Sequence, residues 1–387
     1  MIDYESLRQF ATPSQVIKLD VLKKCGTQKK AANYLDMNIR SFERGLDSLT
    51  RQAAKRGYDP DNNLLYPVGK GQELKGQSVL YDADGNIKQQ WVKSQSDKTA
   101  EKEERINEIF SALKEELTPL KPVKSPKVKN DDLVNTYIIT DYHLGMLAWD
   151  EETGDNWDTE IAESLLYNWF SEAIKRSPDS DTGILAQLGD FLHWDGLDAV
   201  TPQHKNLLDA DTRFQKIVRV AIRVFRRVID DLLQKHNKVH VIMAEGNHDP
   251  ASSIWLRELF HALYDKEPRV YIELSPDPYY CYEHGDTSLF FHHGHKRKPA
   301  NLDDVFVAKF REIFGRTKYS YGHTGHLHHK EVKESNLMVI EQHRTLSSND
   351  AYASRGGWIT GRDASCITYH KAFGEVSRIT INPKMAA

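Results

Sequence analysis

From residue 131 onward the sequence predicts a layered α/β domain with two sheets, and a small helical unit is expected ahead of it. Three observations support this. LVNTYIIT, GILAQLG and KVHVIMA are short apolar runs of the kind that form buried strands. Residues 158–176 and 211–235 have helical spacing and separate those runs, so strands and helices alternate. RVYIEL, YYCY and TSLFF add strand-like runs for a second sheet.

Residues 14–56 read as three helices. Ser14 is placed to cap the first, which runs to Cys25 and is ended by Gly26. Thr27 caps the second, QKKAANYL, and Asn38 caps the third, which closes at Gly57. On the third helix Ile39, Phe42, Leu46, Leu49 and Ala53 form one apolar stripe, and Arg40, Arg44, Arg51 and Lys55 lie off it. KKAANYLDMNIRSFERGLDSL resembles the helix-turn-helix segments of regulators and recombinases. That resemblance implies DNA contacts from Lys29, Lys30, Arg40, Arg44 and Arg51. A helical module that recruits a protein or forms a homodimer is the competing reading. In KGQSVLYDADGNIKQQWVKS two extended runs flank Asp84-Gly85-Asn86, a hairpin that resembles the wing of a winged-helix module. Residues 97–117 are charged with helical spacing, and TPLKPVKSPKVKN (118–130) reads as a stiff proline- and lysine-rich linker. The expected domains are therefore 1–95, a connecting 96–130, and 131–387.

The 387 residues carry a net charge of -4. Residues 1–130 hold 23 Lys and Arg against 18 Asp and Glu, so the front is basic and the rest acidic. This suits a front that meets a polyanion and a back that holds cations. No apolar run reaches the roughly 20 residues that span a bilayer, and MIDYESLRQF lacks the pattern of a secretory signal. Cys25, Cys281 and Cys366 are far apart and form no CxxC pair, so free thiols in a cytoplasmic setting are expected.

The 17 histidines are not evenly spread. Asp141-Tyr142-His143 follows the first strand run, and residues i and i+2 of an extended end point the same way, so both can grip one cation. Gly189-Asp190 follows the second run, and the two oxygens of Asp190 can bridge two cations. His193 is expected to lie over that crevice. Gly246-Asn247-His248-Asp249 follows the third run. Asn247 offers a neutral oxygen, and Asp249 is expected to hydrogen-bond the His248 imidazole, making His248 a general acid. HHGH places His293 at a strand end, with His292 as a rival in the other register. In GHTGHLHH, His326 and His328 are again i and i+2, with His323 as a rival. Clustering of imidazole and carboxylate at strand ends points to metal.

The ordered set Dx(H), GD, GNH(D), HGH and GHxH resembles the calcineurin-like metallophosphoesterase superfamily, and residues 133–330 carry the likeness. GDFLH and GHLH are nearest to its DNA-repair exonuclease branch. The whole-chain order resembles bacteriophage-encoded proteins with a helix-turn-helix in front. The resemblance implies a four-layer αββα metallophosphatase sandwich with two metals between the sheets. It assigns Asp141, His143, Asp190 and His328 to one metal, and Asp190, Asn247, His293 and His326 to the other. It makes His248 with Asp249 the acid pair. Mn is the metal that the nuclease-like likeness points to, and Fe, Zn, Ni and Co suit the same donors.

The expected activity is hydrolysis of a phosphodiester, DNA foremost, by in-line attack of a metal-bridging hydroxide. His193, His295, Lys296 and Arg297 are candidate substrate contacts, with Lys298 beside them. Trp194, Asp195, His204 and AYASRGGW (351–358) are candidate substrate walls. A phosphomonoesterase or cyclic-nucleotide phosphodiesterase is the alternative. A DNA-binding regulator with a decayed site fits less well, because every ligand type is still present.

Overall fold

The computed structural model describes residues 4–60, 64, 67–69, 72–82, 84, 87–96, 123–127 and 130–386. The expected helix at 97–117, the hairpin tip Gly85-Asn86 and most of the linker lie outside the described residues. The chain divides into two compact units, Met1–Asn107 and Glu108–Ala387.

In the first unit three helices follow each other: α1 (Pro13–Cys25), α2 (Gln28–Tyr34) and α3 (Ile39–Lys55). The cap of α1 is Thr12, not Ser14. The Thr12 hydroxyl accepts from the Gln15 amide, and the Gln15 side chain accepts from the Thr12 amide. Pro13 starts the helix at N1, so the cap falls one residue before it. Gly26 ends α1 with φ of 73°, and Asn38 caps α3 through the Arg40 amide at 2.9 Å, as expected. Phe42, Leu46, Leu49 and Ala53 are buried against Leu19, Val21, Ala31 and Ala32. Arg40, Arg44, Arg51 and Lys55 are exposed. Their spacings of four, seven and four residues return them to one side of α3. Lys29 and Lys30 on α2 are exposed as well. β1 (Gln72–Tyr81) and β2 (Ile87–Ser96) form the antiparallel hairpin.

The second unit is built on two sheets. Its first part runs β3 (Leu133–Ile139), α4 (Asp150–Thr153), α5 (Thr159–Arg176), β4 (Thr182–Gln187), α6 (Phe214–Lys235), β5 (Lys238–Met243), α7 (Pro250–Leu263) and β6 (Val270–Ile272). The second part runs β7 (Tyr280–His284), β8 (Thr287–Phe291), α8 (Asp303–Lys309), α9 (Arg311–Arg316), β9 (Tyr319–Thr324), β10 (Glu331–Glu334), β11 (Val339–Gln342), α10 (Ala351–Arg355), β12 (Ala364–His370) and β13 (Gly374–Ile381). The six-stranded sheet has the order β13-β12-β3-β4-β5-β6, with β3 to β6 parallel. The five-stranded sheet has the order β10-β11-β9-β8-β7, with β8, β9 and β11 parallel.

The strand period of two sorts side chains into layers. Val134, Ile138, Ile184, Ala186 and Ile242 face inward onto Tyr280, Leu289 and Phe291, and this inter-sheet core also takes Ile367 and Tyr369. Tyr137, Ile139, Leu185, Val241 and Met243 face outward under α5, α6 and α7, where Trp169, Phe225 and Phe260 are fully buried. On the outer face of the smaller sheet, Phe290 and Ile340 pack with Leu302, Phe306 and Met338. The result is the four-layer αββα sandwich. The parallel strands all end on one side, and loops beyond such ends are where α/β sheets hold ligands.

Candidate metal centre

Asp141, Asp190 and Asn247 follow the ends of β3, β4 and β5, while His293 and His326 follow β8 and β9. The two sheets thus bring five loops to one place. The backbone there is not extended. Asp141, His143, Asp190, His326 and His328 have φ of 50, 48, 51, 79 and 56°. The i and i+2 rule for extended ends therefore does not apply. His143 and Asp141 meet, but His326 and His328 turn toward different donor groups. Left-handed φ on a side chain other than glycine costs about 1–3 kcal/mol and clusters at functional sites. Paired backbones hold this strain: Asp141 N–H donates to Gly189 O at 3.0 Å, His143 N–H to Asp190 O at 3.0 Å, and Leu144 N–H to Phe191 O at 2.8 Å.

Among the described residues three donor groups result, and two of them hold a carboxylate, Asp141 with His143 and His328, and Asp190 with His293 and His326; the third is His143 with His193 and His248. The His328 Nε2 is 3.3 Å from Asp141 Oδ1 and 3.4 Å from His143 Nε2. The His293 Nε2 is 3.1 Å from Asp190 Oδ2 and 3.1 Å from Asn247 Oδ1, and 3.9 Å from Asp141 Oδ1. His293 Nδ1 donates to Leu188 O at 2.8 Å, which leaves Nε2 facing the carboxylates. Thr140 Oγ1 and the His326 amide donate to Asp141 Oδ2, at 2.5 and 2.8 Å, while Asp141 Oδ1 is buried without a hydrogen-bond donor. A buried carboxylate oxygen with no donor, aimed among imidazole nitrogens, is the arrangement a cation completes. Nitrogen and oxygen donors without thiolate fit a divalent metal at each of the two groups that hold a carboxylate. Close backbone approach is built in: a Cβ on Gly246 would lie 1.9 Å from Asp190 Oδ1, and one on Gly325 would lie 1.8 Å from Thr140 Oγ1.

The electrostatics agree. Burial opposes ionisation of Asp190, but the imidazoles of His293, His248 and His143 together outweigh it and hold the carboxyl well below its usual range. Burial also opposes charge on His293, yet Asp190 and Asp141 raise it to about 9. The centre favours positive charge beside its two carboxylates. His143 is different. Burial, then His248, pushes it well down, so it stays a neutral donor.

The rivals are separated by their partners. His292 stacks on Tyr279, with ring centroids 4.4 Å apart, and its Nδ1 accepts from the Gly294 amide. His323 is buried between His343 and Tyr369, at 2.9 and 3.0 Å. Of these pairs only His293 and His326 reach the donor groups.

Several expectations need correction. Asp249 does not touch the His248 imidazole. It is fully buried, and it accepts from the amides of Asp190 (3.1 Å), Gly246 (3.1 Å) and Leu192 (3.0 Å). Its side chain therefore ties two strand-end loops together, and burial with the neighbouring Asp190 raises its pKa to about 7. The His248 Nδ1 instead donates to His193 O at 2.8 Å. His193 is not above the crevice. It is 1% exposed, and its Nδ1 lies 3.2 Å from His143 Nδ1. It fixes the ring of His143 from behind, with its own pKa lowered to about 3 by burial. Trp194 is buried, and Asp195 accepts from the Ala251 and Ser252 amides at the start of α7, so neither is a wall. His204 is exposed and does not line the cavity over the centre.

His295 remains near the centre, 5.2 Å from His293 and 6.3 Å from His326 between ring centroids, with Nδ1 buried and unpartnered. Lys296, Arg297 and Lys298 are exposed. The cavity has a volume of about 630 Å³ and is lined on one side by His143, Asp190, Asn247, His248, His326 and His328. Sequence reasoning missed Thr345 and Ser347, whose hydroxyls donate to the Asp141 carbonyl at 2.6 and 3.0 Å. Glu341, His343 and Asp350 lie near them in sequence but form none of the recognised motifs, so no local pattern flagged them.

No family model matches the chain, and no curated protein matches it. Among solved structures it is similar to a conserved uncharacterized protein of Streptococcus pneumoniae TIGR4 described as a predicted phosphoesterase, at 10% identity and TM-score 0.28, over 65% of this chain and 98% of that one. A novel archaeal phosphodiesterase matches at 14% identity and TM-score 0.32, over 64% and 99%. Vps29 of Entamoeba histolytica complexed with zinc matches at 11% identity and TM-score 0.26, over 65% and 99%. None of these likenesses carries an activity over to the present chain.

Proposed function

We propose that the chain is a dinuclear-metal-dependent phosphodiesterase that acts on DNA. The observation that carries this reading is the pair of buried carboxylates, Asp141 grouped with His143 and His328 and Asp190 grouped with His293 and His326, which share His293: its Nε2 is 3.1 Å from Asp190 Oδ2 and 3.9 Å from Asp141 Oδ1. In this reading Asp141, His143, Asp190 and His328 hold one cation, and Asp190, Asn247, His293 and His326 hold the other. Two such cations, with Mn the first choice, supply polarisation of the phosphoryl oxygens and hydroxide from water near neutral pH. The remaining work belongs to the chain. His248 keeps its Nδ1 on His193 O and lines the cavity, so its other nitrogen can hand a proton to the departing oxygen. His193 and Asp249 are positioning residues, the first for His143 and the second for the backbone around Asp190. His295, beside His293 and His326, and the exposed Lys296 and Arg297 that follow it in the chain are assigned to a second phosphate of a strand.

The DNA part of the reading rests on the basic stripe of α3, Arg40, Arg44 and Arg51, with Lys29 and Lys30 on α2. Helix, turn, helix and hairpin follow in the order of a winged module. A second reading, a cyclic-nucleotide phosphodiesterase or phosphomonoesterase, is favoured by the cavity, which among the described residues no lysine or arginine lines.

The two are separated by one comparison. The Mn-loaded chain is expected to cleave DNA and also bis(p-nitrophenyl) phosphate. Arg40→Ala with Arg44→Ala should weaken DNA binding and reduce its salt slope by about 2, leaving turnover of the small diester unchanged. Salt-insensitive or absent DNA binding, with cyclic nucleotides or monoesters turned over instead, would move the assignment to the second reading.

A further inference from the structure

The cavity over the metal centre has a second wall that hydrolysis does not require. It is formed by Leu327 and by part of the segment 349–360, chiefly Asp350, Tyr352, Trp358 and Ile359. These are large apolar side chains left open: Tyr352 is 74% exposed and Trp358 is 56% exposed. Isolated exposed apolar residues need no explanation, but a contiguous set beside a built polar centre does.

The aromatic pair is held in place. The Tyr352 and Trp358 ring centroids are 5.2 Å apart, with planes at 51°. Asp350 caps α10 through the Ala353 amide at 2.7 Å. The Trp358 amide donates to the Ala353 carbonyl at 3.0 Å, closing the turn. Gly356 leaves room for the indole, because a Cβ there would lie 2.7 Å from the ring, which therefore seats over bare backbone. Ser354 Oγ donates to Glu152 O, and Arg355 pairs with Glu152 Oε1, each at 2.6 Å, anchoring the segment to α4. Thr360 Oγ1 donates to the carbonyl of His328 at 3.0 Å, so the wall is tied directly to the metal-side backbone. An indole fixed by its backbone and left facing a cavity is a preorganised stacking surface.

We infer that Trp358 and Tyr352 form the binding site for the nucleobase of the nucleotide unit whose phosphoester rests on the metal centre. This deepens the phosphodiesterase reading and rests on it. Three features select the base. A flat ring fills the space beside an indole and a phenol and gains stacking. The cavity volume of about 630 Å³ suits a single nucleoside. Among the described residues that line it, the wall has one carboxylate, Asp350, and no lysine or arginine, so it offers no lysine or arginine cation to a further phosphate; Arg355 of the same segment is turned to Glu152. The sugar and base are therefore expected on this wall, with the phosphate at the histidines.

The test reads binding, not turnover. The Mn-loaded chain is titrated with dAMP and with 2-deoxyribose 5-phosphate, which differ only in the base, and each dissociation constant is measured by calorimetry. The proposal expects dAMP to bind about tenfold more tightly or better, as one base–aromatic stack provides. That advantage should vanish in Trp358→Ala, shrink in Tyr352→Ala and survive in Trp358→Phe. Equal affinities in the unaltered chain, or an advantage untouched by Trp358→Ala, would overturn it. A parallel titration with a 5′-phosphorylated trinucleotide distinguishes a free nucleotide from a strand end, since the tighter of the two marks the source. If the chain hydrolyses no phosphodiester yet keeps a Trp358-dependent preference for dAMP, the hydrolase reading fails and the base site stands. If turnover is intact and the preference is absent, the base site fails alone.

Discussion

Asp190→Ala is expected to lower hydrolysis of bis(p-nitrophenyl) phosphate by about a thousandfold or more while the chain stays folded. Asp190 is the carboxylate on which both proposed metals depend. Its Oδ2 lies 3.1 Å from His293 Nε2, and its Oδ1 accepts the His248 amide at 2.7 Å. Removing it leaves that one amide without its acceptor, a cost of about 1–3 kcal/mol. It strands no buried charge, because His293 owes its raised pKa first to Asp190 and next to Asp141, and becomes easier to deprotonate once Asp190 is gone. Far-ultraviolet circular dichroism should therefore match the unaltered chain while activity disappears. Undiminished turnover would remove Asp190 from the centre and the two-metal reading with it.

The second large effect comes from a single methyl group. A Cβ on Gly246 would lie 1.9 Å from Asp190 Oδ1 and 2.2 Å from Asp190 N. The carboxylate oxygen could swing, but the backbone nitrogen cannot. Asp190 N–H also holds the Asp249 carboxylate at 3.1 Å, so its displacement spreads to the loop clamp. Gly246→Ala is expected to destabilise the chain by about 1–3 kcal/mol and to abolish stabilisation by Mn. Activity should fall about a hundredfold even in the folded fraction, as displaced catalytic groups do. Gly315→Ala is the control, since nothing lies within 4 Å of a Cβ there. Thermal melts with and without Mn give the answer. A Gly246→Ala protein that melts like the control in both conditions would mean that Gly246 does not pack on Asp190.

Strands β3, β4 and β5 were legible because each carries an apolar run, Tyr137-Ile138-Ile139, Ile184-Leu185-Ala186 and Val241-Ile242-Met243, that is buried in the sheet. Each run also ended in a motif, so the strand ends and the donors were found together. β12 escaped for the opposite reason. It is a buried strand between β13 and β3 in the six-stranded sheet, yet its sequence ASCITYH mixes small polar residues with apolar ones. Those polar groups are satisfied inside: Thr368 Oγ1 donates to Asn135 Oδ1 at 2.8 Å, and Ser365 pairs with Thr380 at 3.2 Å. Such pairing is tertiary and leaves no trace in local periodicity.

The same limit explains the site. Identity of the donors was legible, because histidine, aspartate and asparagine at strand ends have few other uses in that number. Orientation was not. Whether Asp249 reaches an imidazole or backbone amides depends on a fold between loops that are 57 to 59 residues apart in the chain. The role of His193 behind His143 likewise depends on which face of the loop is buried. Periodicity alone set Arg40, Arg44, Arg51 and Lys55 off the buried stripe, and they are exposed, which says where they point and not what they meet.

A pair of cations gathered around one shared aspartate is directly measurable by anomalous diffraction from crystals soaked in Mn. Two peaks per chain are predicted about 3.5–4 Å apart, both within ligand reach of Asp190, with His328 at one and His293 at the other. A single peak, no peak, or peaks bound away from Asp190 would contradict the dinuclear centre.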